Sequence, residues 1–157
     1  MSLSIDVEDA GWSVIAGLEE LARRAAAATF AATGVRENEF ETALLFTSDD
    51  EVRALNQQWR GKDYATNVLS FPAADGFTVP DGEAPPLGDI VLALGVVTRE
   101  AVEQGKPLPH HAAHLMIHGL LHLLGYDHET DEDASEMEDL ETEILKGMGI
   151  PAPYERD

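Results

Sequence analysis

The chain has no cysteine, which excludes disulfide bonds, thiolate nucleophiles and Cys-ligated metal sites. Any metal must sit on His, Asp or Glu. Basic residues are scarce: ten Lys and Arg face thirty Asp and Glu, a formal net charge of −20. That composition rules out a broad basic surface, so recognition of any nucleic acid has to be local. Long uncharged apolar runs are missing too. The most apolar N-terminal stretch, residues 12–34, contains Glu19, Glu20, Arg23 and Arg24, which a membrane-spanning helix does not tolerate. Residues 1–11 carry Asp6, Glu8 and Asp9 where a secretory signal has a basic region, so the expected location is the cytoplasm. No repeat or linker interrupts the sequence, and its 157 residues are expected to form one domain, 1–157, with a continuous apolar core.

Strands are expected where apolar residues alternate, at Leu3, Ile5 and Val7 and again at Phe40, Thr42, Leu44 and Phe46. Two short apolar runs, Asn67 to Phe71 and Asp89 to Leu94, complete a small four-stranded sheet. Between the first two strands, Ile15, Leu18, Leu21, Ala25 and Ala28 recur at helical spacing and predict a helix that ends at Gly34. Ser48 and Glu51 have capping-box spacing and open a second helix with Val52, Leu55 and Trp59 turned inward, stopping before Gly61. Residues 73–86 hold too many Gly and Pro for regular structure and read as a long surface loop. A short helix from Thr98 to Glu103 precedes Pro107 and Pro109, which lead into a histidine-rich helix ending near Gly125. Thr130 and Asp133 open the last helix, whose apolar stripe is Ala134, Met137, Leu140, Ile144 and Leu145. Ten Asp and Glu and no Lys or Arg fall between Asp127 and Glu143, so that stretch is expected to present a solvated acidic face or to dock a basic partner.

All six histidines lie between positions 110 and 128. His118 and His122 are four residues apart, so a helix projects both from one face and lets them hold one metal ion. His128 follows beyond Gly125, where a glycine can end the helix in the left-handed conformation and return the chain toward the same ion. The string HGLLHLLGYDH thus has the ligand spacing of metzincin zinc proteases. Three histidines with one open position is the form of a catalytic zinc site; a structural site closed by Asp127 is the alternative. The glutamate that serves those proteases as general base is missing, because Gly119 follows the first histidine. His114, one turn before His118, is a candidate for orienting a ligand or moving a proton.

HGLLHLLGYDH, together with LNQQWRGKDYATNVLSFP at 55–72 and LGDIV at 87–91, closely resembles the YbeY family of bacterial endoribonucleases. The resemblance runs from the second strand through the last helix. It implies a single-domain α/β (α+β) fold, with a small mixed four-stranded sheet packed with helices and a zincin-like metal-binding helix. It also implies one zinc ion on His118, His122 and His128, and a functional arginine at Arg60. The implied role is single-strand-specific cleavage in rRNA processing, at the 3′ end of 16S rRNA, and in ribosome quality control. Its implied partners are an rRNA precursor and the small ribosomal subunit with its proteins, a ribosome-assembly GTPase being a further candidate; neither membrane nor DNA is expected. Asn67 stands where the family often has Asp, and Ala65 where it often has Pro.

Arginine offers a bidentate clamp for charge developing on a phosphodiester, and Lys62 beside Arg60 makes a locally basic patch on an acidic chain. The nucleophile, a zinc-activated water or the RNA 2′-hydroxyl, stays open at this stage, as does the choice between His114 and Asp127 for proton transfer. Two other readings compete. One is a zinc hydrolase of peptides or amides, and the other is a non-catalytic ribosome-assembly factor that zinc only stabilises.

Overall fold

The computed structural model describes residues 3–36, 39–73, 83–127 and 129–151. Among them are four strands and five α-helices. The strands are β1 (Leu3–Val7), β2 (Glu41–Thr47), β3 (Val68–Pro72) and β4 (Pro86–Ala93). The helices are α1 (Leu18–Thr33), α2 (Asp49–Arg60), α3 (Leu94–Gln104), α4 (Leu108–Leu123) and α5 (Asp131–Gly147). The strands form one mixed sheet in the order β1-β2-β4-β3, with only the β3–β4 pair antiparallel. This α/β architecture is the one expected.

Register decides which residues face which layer. Ile5, Leu44, Ile90 and Ser70 lie in one row across the sheet, and Asp6, Leu45, Val91 and Leu69 in the next. Because successive residues of a strand point to opposite faces, the first row meets α4 and the second faces α2. On the α4 side a large core joins α1, α4 and α5 to the sheet. Trp12 is fully buried within it, donating from its indole N–H to the Thr47 carbonyl at 2.9 Å and standing edge-on to Phe46. On the α2 side the buried cluster, among the described residues, is only Val52, Leu69, Val91 and Ala93.

Both expected capping residues act as such. Ser48 Oγ accepts from the Glu51 N–H at 3.2 Å and Thr130 Oγ1 from the Asp133 N–H at 3.0 Å, caps typically worth about 1 kcal/mol each. Several expectations shift in detail. Ile15 falls outside α1, just after a short 3-10 turn over Ala10–Val14. Leu94 opens α3 instead of closing β4, so that helix is longer than its sequence signal. Trp59 is not inward but 66% exposed, and Asn56 is the buried partner of Val52 on α2. Of the expected loop over 73–86, residues 74–82 lie outside the described residues, and Pro86 already belongs to β4.

Candidate metal centre

Helix α4 places five of the six histidines. Pro109 sits in its first turn, where no intrahelical donor is lost. Met116, Ile117, Leu120 and Leu121 are fully buried and press the helix onto the sheet. His110, His114, His118 and His122 then follow at four-residue intervals along one half-buried stripe. The rings of His118 and His122 are 4.6 Å apart between centroids and nearly perpendicular.

Glu141 of α5 is completely buried beneath this stripe. One carboxylate oxygen lies 2.5 Å from His118 Nδ1 and the other 3.2 Å from His114 Nε2. A carboxylate accepts, so each of these ring nitrogens donates. Donation from Nδ1 leaves His118 Nε2 as the nitrogen with a lone pair for a ligand bond. A carboxylate behind a metal-binding imidazole commonly fixes ring orientation in this way. Sequence reasoning missed Glu141 because it lies inside the acidic run. Its signal was positional: four residues after Met137 and four before Leu145, it falls on the apolar stripe of α5.

Among the described residues no group of three His, Asp or Glu side chains is gathered closely enough to hold a metal ion. His128, the third imidazole of the motif, lies outside them. Before it the helix ends as expected: Gly125 has φ +103°, and the Tyr126 N–H returns to the Leu121 carbonyl at 3.0 Å. Asp127 uses its carboxylate locally, accepting from the Glu129 N–H at 3.3 Å.

Gly119 has a physical explanation. A Cβ at this position would come within 3.0 Å of Ile90 and 3.2 Å of Ser70 Oγ. The helix crosses the sheet closely here, so any larger residue would require Ile90 and Ser70 to give way by a few tenths of an ångström. The carboxylate missing at Gly119 counts against peptide hydrolysis.

Arg60 and Lys62 are not brought into the histidine cleft. Arg60 ends α2 and lines a groove of about 890 Å³ with Leu45, Trp59, Phe71 and Asp89, among others, and among the described residues no histidine borders it. The segment after Arg60 is held firmly. Buried Asn56 donates to the Tyr64 carbonyl at 2.8 Å, and Arg53 grips Asp63 through two contacts of 2.7 and 3.0 Å. The hydrogen bond from Arg53 holds the Asp63 carboxyl below the usual carboxylate range, with the charge attraction adding to it. Lys62 is exposed. The edge strand β3 borders both cavities, contributing Phe71 to the Arg60 groove and Val68 to the histidine cleft.

Fold and site together define a small α/β protein with a histidine helix laid across a mixed sheet and a buried carboxylate behind the imidazoles. A family model described as Endoribonuclease YbeY matches residues 5–149, and the chain belongs to that family. It is 50% identical over 143 residues to an Endoribonuclease YbeY of Rhodopseudomonas palustris, covering 91% of this chain and 75% of that protein. It is 47% identical over 156 residues to the protein of the same name from Azorhizobium caulinodans, covering 98% and 96%. The solution structure of TM1509 from Thermotoga maritima superposes with a TM-score of 0.59 at 25% identity, over 99% of this chain and 97% of that one. No helix among the described residues is long and apolar enough to cross a membrane.

Proposed function

We propose that the chain is a zinc-dependent, single-strand-specific endoribonuclease acting in rRNA processing, at the 3′ end of 16S rRNA, and in ribosome quality control. Membership of the YbeY family supports the RNA phosphodiester as the bond that is cut. The observation that carries the metal side is the 2.5 Å contact between His118 Nδ1 and buried Glu141. It presets one imidazole for ligation through Nε2, beside a second imidazole on the same helix face. Neutral nitrogen donors of this kind suit zinc.

In this reading α4 is a zincin-like helix, and His118, His122 and His128 hold one zinc ion. When bound, zinc supplies Lewis acidity toward the phosphodiester. Glu141 keeps the His118 ring from turning. His114, on the other oxygen of the same carboxylate, stands one helical turn away as a proton-transfer group. Arg60 makes a bidentate contact to phosphate oxygens, with Lys62 beside it, and Asp127 orders the turn that leads to His128. An RNA strand lying along the β3 edge touches both the Arg60 groove and the histidine cleft.

A net charge of −20 makes binding of naked RNA weak and sharply dependent on salt. The cytoplasmic small ribosomal subunit, its proteins and an assembly GTPase therefore deliver the rRNA precursor. The test is cleavage of a precursor 16S rRNA 3′ fragment by zinc-loaded wild type and by identically purified His118→Ala and Arg60→Ala variants. Cutting by wild type alone is expected. Equal cutting by all three would trace the activity to a contaminant and sink the reading.

A further inference from the structure

A second cavity feature lies on the histidine side. Between the end of α3, the start of β3 and the outer face of α4 is a cleft of about 400 Å³, bordered by Asn67, Gln104, Lys106, His111, His114 and His118. Its size is at the lower end of small-ligand pockets, which run from about 300 Å³ upward. Lys106 is the one Lys or Arg among the described residues that border it.

Its backbone is pinned. The Lys106 N–H donates to the Ala101 carbonyl at 2.9 Å, closing α3, and Pro107 follows as the residue that opens α4. The side chain therefore leaves from a fixed point between two helices. It is partly buried, and burial lowers the affinity of its amine for a proton. An ammonium that has given up part of its hydration gains more from an anion than one in open solvent. The wall beside it is already organised: Glu100 Oε1 accepts from Asn67 Nδ2 at 3.0 Å and lies 2.9 Å from His111 Nε2. Gln104, exposed at the rim, offers an amide to a base edge. On a chain so acidic, a phosphate next to the histidines needs a cation close by, and Arg60 borders a different groove.

We infer that this cleft is a nucleotide subsite, in which Lys106 binds an RNA phosphate next to the bond that is cut. The inference rests on the endoribonuclease reading above. It is tested on the zinc-loaded full chain with a short single-stranded oligoribonucleotide, 2′-O-methylated throughout, by fluorescence anisotropy across a salt series. Lys106→Gln is expected to weaken binding about fivefold at low salt. It should also flatten the plot of log Kd against log salt by about 0.7, the release of one counterion from a single strand. Lys106→Arg keeps wild-type behaviour, and so does Arg36→Gln, which removes one charge from an exposed residue.

If Lys106→Gln binds with wild-type affinity and slope while Arg60→Ala binds more weakly, the subsite is refuted and the endoribonuclease reading stands. If Lys106→Arg fails together with Lys106→Gln and both melt earlier, the lysine is structural and the subsite is again refuted. If wild type neither binds nor cuts RNA, both readings fall.

Discussion

The two faces of the sheet are built for different work. Against one, α1, α4 and α5 press a broad apolar layer in which Leu44, Ile90, Met116 and Leu120 are sealed from water. Against the other, Val52 of α2 packs on only three buried sheet residues among those described, Leu69, Val91 and Ala93, and beside it lies the groove where Trp59 and Arg60 stand. The thick layer holds the imidazoles and Glu141 in one orientation. The thin layer leaves Trp59 and Arg60 on an open groove. Dense packing thus lies under the histidine helix, and open space lies beside α2.

Core truncations test this contrast most strongly. Leu120→Ala, under α4, is expected to cost about 3 kcal/mol, in the usual range for a buried leucine, while half-buried Leu55→Ala on α2 should cost about half as much. Urea denaturation of the full chain measures both, and equal losses would erase the distinction between the faces. Next comes Glu141→Gln, which keeps the shape but not the charge behind His118. Zinc affinity, followed by competition with a chromophoric chelator, should fall about 10- to 100-fold. Unchanged affinity would reduce Glu141 to a space-filling group.

A smaller effect is expected from His111, which borders the same cleft. Burial pushes its imidazole below the ordinary 6.5, against the opposing pull of Glu100, while His114 and Lys106 add to the lowering. The unfolded chain then takes up the proton first, so folding stability is fully present above pH 6.5 and declines as pH falls from there toward the lowered value. Denaturation midpoints in that window should show the decline in wild type and a shallower one in His111→Gln. Parallel curves would mean that His111 protonates without resistance. Smallest of all, Trp59→Ala should change stability by less than about 0.5 kcal/mol, since the ring is mostly in solvent. A larger loss would mean that the α2 face is better packed than its open groove implies.

Much of this was readable from residue order. Ser48, Thr130 and Gly125 announced helix ends because capping and left-handed turns depend on one residue and its immediate neighbours. Two strands announced themselves by alternation and two as short apolar runs between turn residues. Trp59 was misjudged because it follows Val52 and Leu55 at helical spacing, yet the sheet row beneath α2 gives way there to the groove. Glu141 and Asn56 were missed because a polar residue on an apolar stripe looks like noise until its partners, His118 and the Tyr64 carbonyl, are brought close from elsewhere in the chain.

The sequence by itself determined the elements, the spacing of His118 and His122 on one helix face, the exclusion of cysteine chemistry and the need for local recognition of RNA. These follow from composition and from the repeat of the helix, which act over a few residues. Tertiary structure alone decided which acidic side chain is buried behind the imidazoles, how closely position 119 meets Ile90 and Ser70, and that Arg60 and Lys106 border different cavities. Those outcomes depend on how closely α4 crosses β4 and on which face each helix takes, and such distances are set by the packing of residues far apart in the chain.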